Sequence, residues 1–152
     1  MTQALNKGCD AMVTERQKTL VQESFATIAP IADDAAALFY RRLFELDPAL
    51  RPMFPGEMAE QRKKLMQMIT AAVKGLDRLD QLVPVVRDLG RRHAGYGVKD
   101  EHYGTVGEAL LWTLEKGLGA AFTPETKAAW AAVYGLIAMT MQKAASEALA
   151  AA

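Results

Sequence analysis

The sequence has almost nothing with which to cross-link a fold or build a structural metal site. Its single cysteine, Cys9, allows no intramolecular disulfide and no zinc site made of several thiolates. Because disulfides are rare in reducing compartments, we expect a cytoplasmic location. The chain has only two histidines, His93 and His102, so few imidazoles are available as ligands.

An excess of one charge and long apolar runs are also missing. Lysine plus arginine and aspartate plus glutamate number 18 each, which gives a formal net charge of zero and argues against nucleic acid as a partner. No apolar run approaches the roughly 18 residues of a membrane span. Residues 1–10 carry no apolar stretch of signal-peptide length. GxSxG, P-loop and HExxH motifs do not occur, which argues against the hydrolases that use them.

What the sequence does contain is apolar residues at helical spacing. With 51% apolar residues in 152, the chain can bury one sizeable core. We predict a helical domain over residues 14–148, a mobile extension over 1–13 and a frayed tail over 149–152. Three- and four-residue steps predict six substantial helices and at least one short one. Unequal helix lengths and frequent proline corners favour steep packing, as in globin-like folds, over a regular four-helix bundle.

Local signals place the ends of these helices. A capping box at Thr14 and Gln17 opens the first helix, which ends at Pro30. Thr123 followed by Pro124 opens the last one. The second, third and fourth helices are predicted over about 35–46, 58–76 and 81–94, and the fifth begins at residue 99 or 100.

His93 is the residue most suggestive of chemistry. It lies four residues after Leu89, on the predicted inner face of the fourth helix. Imidazole is a common ligand of haem iron, and one such ligand suffices. A buried histidine that donates to a backbone carbonyl fits the same position, and spacing alone favours this second interpretation. His102 follows Asp100 and Glu101 at a helix start, so we expect it to be exposed.

Several segments, in order along the chain, resemble the globin family, especially neuroglobins and bacterial haemoglobins and flavohaemoglobins. The likeness covers roughly residues 14–143, and its clearest motifs are LFELDPALRPMF at 43–54, LGRRH at 89–93, GVK at 97–99, VGEALL at 106–111 and FTP at 122–124. The resemblance implies an all-α globin fold with six to eight helices packed around one haem, haem b.

The resemblance also implies roles for individual residues. His93 matches the proximal iron ligand and Phe54 the phenylalanine that stacks on haem. Tyr40 and Gln61 match the two distal positions, and Leu65 the apolar residue one helical turn after Gln61. A phenol O–H and an amide N–H can both donate to negative charge on bound O₂. Because Gln61 replaces the distal histidine of neuroglobins, we expect an open sixth position on the iron.

Other positions are expected to contact the haem or to tune His93. Lys64 is either a partner of a haem propionate or a solvated lysine, and Tyr103 is either part of a proximal network or a core aromatic. In flavohaemoglobins a glutamate on the last helix holds the proximal histidine; here Ala145 stands at that position and Glu147 comes two residues later. We therefore expect His93 to donate to a backbone carbonyl, such as that of Leu89. The remaining expected cofactor contacts are Val98, Val106 and Ile137.

The resemblance leaves more than one function open. Our first expectation is reversible binding of O₂, CO and NO for transport or scavenging, by a monomer or weak homodimer. The alternatives are a nitric oxide dioxygenase, a gas or redox sensor that acts through a partner, and a haem-free helical adaptor. No flavin domain follows in this sequence, so we expect turnover to depend on a separate reductase.

Overall fold

The computed structural model describes residues 13–54 and 56–151, without the side chain of Ala151. Within this range it contains six α-helices and no strand, which confirms the all-α prediction. The helices are α1 Glu15–Ile28, α2 Ala32–Leu46, α3 Met58–Lys74, α4 Leu79–Gly95, α5 Asp100–Leu118 and α6 Pro124–Ala151. Short 3₁₀ helices lie at Ala29–Ile31, Pro48–Met53, Gly75–Asp77 and Gly119–Ala121. Cys9 and all of the predicted extension except Val13 lie outside the described residues.

The predicted starts of α1 and α6 are confirmed by their capping hydrogen bonds. The Gln17 backbone N–H donates to the Thr14 hydroxyl at 3.1 Å, and the Thr14 N–H donates to the Gln17 side chain at 3.0 Å. The Thr126 N–H donates to the Thr123 hydroxyl at 3.1 Å, just before Pro124 opens α6.

The other helix bounds differ from the predicted ones by a helical turn or less. Helix α2 begins at Ala32 because the 3₁₀ turn that contains Pro30 leads directly into it. Helix α3 ends at Lys74, since the next residues form the 3₁₀ turn Gly75–Asp77. Helix α6 continues through Ala151, so residues 149–151 of the predicted tail belong to the helix.

Helix α6 is the central element of the fold and packs against α1, α4 and α5. Helix α2 packs against α5 and α3. Helix α3 packs mainly on α2, and α4 mainly on α6; in the described part of the chain, α3 and α4 have no extensive packing contact with each other. Helices α3 and α4 therefore each rest on other helices rather than on one another.

A glycine fixes how closely α4 approaches α6. A Cβ atom at Gly90 would overlap the backbone carbonyl of Met141, so only glycine lets the two helices cross at this distance. Gly90 lies on α4 one turn before His93, and this crossing therefore helps to position the end of α4.

None of the helices in the described range is both long and apolar enough to cross a membrane.

Candidate functional site

Two separate apolar clusters contain most of the predicted site residues. We call the first the Tyr40 cluster; its buried members are Phe39, Tyr40, Leu43, Leu50 and Ala109, and its partly buried members include Phe44, Phe54, Leu65 and Val106. We call the second the Tyr103 cluster; it contains Val86, Leu89, Tyr103, Ala138 and Met141, with Leu82, Val98, Tyr134 and Ile137 packed against it. Helix α5 contributes to both clusters, through Ala109 and Tyr103 respectively.

His93 lies in the last turn of α4 and is half-buried. Its Nδ1 atom is 2.8 Å from the backbone carbonyl oxygen of Leu89, so the expected contact with this carbonyl is confirmed. A carbonyl oxygen can only accept, and Nδ1 must therefore carry the ring proton. The Nε2 atom is then left with a lone pair that can bind a metal.

The surroundings of His93 also favour its neutral form. Burial lowers its pKa below the ordinary value, and the positive charge of Arg92 acts in the same direction. The hydrogen bond to Leu89 opposes this shift without reversing it. A neutral imidazole is the form that coordinates metals.

Tyr40 is 6% exposed in the middle of α2. Its hydroxyl donates to the backbone carbonyl of Gln61 on α3 at 3.3 Å, a long hydrogen bond. Burial raises the pKa of Tyr40 to about 12, so that the phenol keeps its proton at neutral pH. The hydroxyl is therefore a hydrogen-bond donor held by a weak contact.

Three phenylalanine rings surround Tyr40. The ring centroids of Phe39 and Phe54 lie 5.2 and 5.3 Å from that of Tyr40 in edge-on contact, and Phe44 stacks on it at 6.0 Å. Phe54 also meets Phe44 edge-on at 5.7 Å. The sequence analysis identified Tyr40 and Phe54 but missed Phe39 and Phe44, although Phe44 is one helical turn after Tyr40.

Helix α3 carries the other predicted distal residues. Gln61 and Leu65 are both half-buried, and Leu65 packs into the Tyr40 cluster. Lys64 is exposed, which suits either of its predicted roles.

Tyr103 is buried in the other cluster, with 8% of its surface exposed. Its hydroxyl has no hydrogen-bond partner in the described part of the chain. Burial raises the pKa of Tyr103, and the charge of Asp100 adds to the shift. An orphaned hydroxyl in an apolar cluster costs about 1–3 kcal/mol, so the Tyr103 cluster has a polar atom suited to a partner outside the protein.

Glu147, the nearest sequence candidate for a proximal carboxylate, forms an ion pair with Arg87 of α4. His102 is half-buried rather than exposed as expected, because its Nδ1 accepts the Lys99 backbone N–H at 2.9 Å. Neither Glu147 nor His102 therefore takes part in the Leu89 contact that orients His93.

The comparisons with known proteins agree with this arrangement. A family model described as globin matches residues 37–141. The chain belongs to the globin family. Among its relatives, neuroglobin of Danio rerio is 32% identical over 145 residues, and neuroglobin of Tetraodon nigroviridis is 31% identical over the same length. Each alignment covers 86% of this globin and 91% of the relative.

A solved structure gives the same fold. The bacterial globin of Campylobacter jejuni superposes with a TM-score of 0.78 and 27% sequence identity, over 90% of this chain and 99% of that one. The prediction of a globin fold is confirmed, and with it the general property of the family, which is to bind haem and, through haem, diatomic gases.

The residues of this globin fit a haem group. His93 Nε2 is available as a ligand atom because Nδ1 donates to Leu89. Apolar side chains make up most of the Tyr40 and Tyr103 clusters, which suits a large apolar ring, and the second cluster contains the orphaned Tyr103 hydroxyl.

Proposed function

We propose that this globin holds haem b through His93 and binds O₂, CO and NO reversibly, with a five-coordinate ferrous iron when no gas is bound. The observation that carries the proposal is the His93 Nδ1 contact with Leu89, because it directs the proton to one ring nitrogen and the lone pair to the other. When bound, the haem would supply an iron atom able to take up a gas molecule.

The distal residues select and retain the gas. Tyr40 stays protonated and donates to a ligand that carries partial negative charge. To do so its hydroxyl gives up a 3.3 Å contact with the Gln61 carbonyl, which is weak and therefore costs little. The Gln61 amide is a second candidate donor, and Leu65 excludes water from the same space.

The proposed open position on the iron follows from the small number of histidines that could occupy it. The chain has two histidines. One of them, His102, accepts the Lys99 backbone N–H at the start of α5. The α3 position that neuroglobins fill with histidine is Gln61 here, and a neutral amide is a much poorer iron ligand than imidazole.

Nitric oxide dioxygenase is the second candidate, favoured by the buried Tyr40 donor. That reaction converts NO, O₂ and one electron to nitrate, and a separate reductase would supply the electron. The observation against it is that Glu147 pairs with Arg87 and His93 donates to a carbonyl, which leaves the imidazole less basic than a carboxylate partner would make it.

Hemin titration tests the proximal assignment. We expect one hemin per chain in the wild type and in a His102→Ala control. In His93→Ala, hemin should bind loosely enough to be removed by gel filtration. A His93→Ala variant that keeps a normal haem spectrum after gel filtration would overturn the proposal.

A further inference from the structure

Arg51 belongs to the 3₁₀ helix Pro48–Met53 and precedes Phe54, the residue that ends this helix, by three positions. A 3₁₀ helix has three residues per turn, so residues three positions apart lie one above the other. Arg51 is exposed, whereas Phe54 is half-buried in the Tyr40 cluster. In the described part of the chain no carboxylate pairs with Arg51. Its guanidinium is therefore available for contacts at the end of the helix.

Two hydrogen bonds in opposite directions join Arg51 to Phe54. The Phe54 backbone N–H donates to the Arg51 carbonyl at 3.1 Å, at the end of the 3₁₀ helix. A guanidinium N–H of Arg51 donates to the Phe54 carbonyl at 2.9 Å. Carbonyl groups at the end of a helix lack partners within the helix, and a basic side chain there can supply one. Both backbone polar groups of Phe54 are therefore held by Arg51.

The guanidinium of Arg51 also lies over an aromatic ring. Its Cζ atom is 5.7 Å from the ring centroid of Phe44, within the range of a cation–π contact. Phe44 stacks on Tyr40 at 6.0 Å and meets Phe54 edge-on at 5.7 Å. Phe54 in turn lies edge-on to Tyr40 at 5.3 Å. Arg51 therefore contacts two of the three phenylalanines around Tyr40, Phe44 through its ring and Phe54 through its backbone.

We propose that Arg51 is a positioning residue for the distal site: it holds Phe44 and Phe54, and through their rings it fixes the orientation of the Tyr40 phenol. Arg51 itself does not contact the gas in this proposal. That the oriented phenol serves a bound gas rests on the proposed function, whereas the control of ring orientation by Arg51 does not.

The orientation of the rings is tested in the haem-free protein by fluorine NMR after labelling with para-fluorophenylalanine. The chain has five phenylalanines, and each signal is assigned by replacing one of them with leucine. In Arg51→Ala the signals of Phe44 and Phe54 should shift or broaden. The signal of Phe25, which packs beside Trp130 in a different cluster, should stay where it is. Arg51→Lys keeps the charge but not the planar set of donors, so its shifts should be intermediate.

Arg16→Ala is the matched control, because Arg16 is also exposed and donates one hydrogen bond to a distant residue, Glu125, at 2.9 Å. It should leave the signals of Phe44 and Phe54 unchanged. A contact that only stabilised the fold would lower the free energy of unfolding and leave the signals of the folded state in place. Unchanged Phe44 and Phe54 signals in Arg51→Ala would therefore overturn the inference.

The consequence for the gas site is tested in the haem-loaded protein by stopped-flow measurement of O₂ release. Arg51→Ala should speed release by about threefold or more, because a poorly oriented phenol makes a weaker hydrogen bond. In a Tyr40→Phe background the same change should have no further effect. An unchanged release rate in Arg51→Ala, or additive effects of the two changes, would overturn the action through Tyr40. Failure of the wild type to bind hemin would instead count against the proposed function, and the fluorine result would still stand.

Discussion

The Nδ1 atom of His93 lies 2.8 Å from the backbone carbonyl oxygen of Leu89, one turn earlier on α4. This contact fixes both the tautomer and the rotation of the imidazole ring. Helix α4 is in turn held against α6 at Gly90, so the position of the proposed iron ligand depends on packing one turn earlier on the same helix.

Replacement of Tyr40 by phenylalanine should speed O₂ dissociation by about tenfold or more, because a hydrogen bond to a charged group contributes about 1.5–3 kcal/mol. Stopped-flow measurement of O₂ release checks this. Tyr134→Phe is the control, since it removes the hydroxyl of a half-buried tyrosine that donates to the Tyr103 carbonyl instead. An O₂ release rate in Tyr40→Phe equal to that of the wild type would refute the role of Tyr40.

Alkaline pH should destabilise the protein through Tyr40. Its folded pKa is about 12, above the ordinary value of 10. Because the pKa is higher in the folded than in the unfolded state, the contribution of protonated Tyr40 to stability is complete below pH 10. That contribution is lost as the pH rises from 10 to 12. Two pKa units correspond to about 2–3 kcal/mol. In urea unfolding of the haem-free protein, Tyr40→Phe should lose less stability than the wild type over this range; parallel losses would show that burial does not perturb this phenol.

Gly90→Ala should destabilise the fold by about 1–3 kcal/mol, because the added methyl group would overlap the Met141 carbonyl and force α4 and α6 apart. Gly135→Ala in α6 is the control: a Cβ there meets no atom within 4 Å, so it should be neutral or stabilising. Urea denaturation measures both. Equal stabilities for the two variants would mean that the α4–α6 crossing can adjust.

Tyr103 and Tyr134 should respond in opposite ways to loss of their hydroxyls. The Tyr103 hydroxyl is buried without a partner in the described residues, so Tyr103→Phe should be neutral or stabilise the haem-free protein. The Tyr134 hydroxyl donates to the Tyr103 carbonyl at 2.6 Å, so Tyr134→Phe should cost about 1 kcal/mol. Thermal unfolding measures the stability of both variants. A marked loss of stability in Tyr103→Phe would reveal a partner for the hydroxyl of Tyr103.

The sequence predicted well those features that depend on neighbours along the chain. The helix caps at Thr14 and Thr123 and the His93 contact with Leu89 involve residues three or four positions apart, where helical geometry determines proximity. The two interpretations of His93 are in fact compatible, since one ring nitrogen donates to the carbonyl and the other is available for iron. The family resemblance, rather than spacing, singled out Tyr40, Phe54 and Gln61.

What the sequence could not predict depends on contacts between distant segments. The Arg87–Glu147 ion pair joins α4 to α6, and the close approach at Gly90 is set by Met141, some fifty positions away. A small interior cavity lined by Phe25, Met66 and Trp130, among others, requires side chains from five helices. No periodic pattern in the sequence identifies such a space, because each residue that lines it has only the spacing expected for a buried helix face.

The visible absorption spectrum of the dithionite-reduced protein under nitrogen tests the central claim most directly. Five-coordinate ferrous haem, held by His93 with an open position near Tyr40, should give a single broad visible band. Split, sharp visible bands would mean that a protein side chain occupies the sixth position, and would contradict the account.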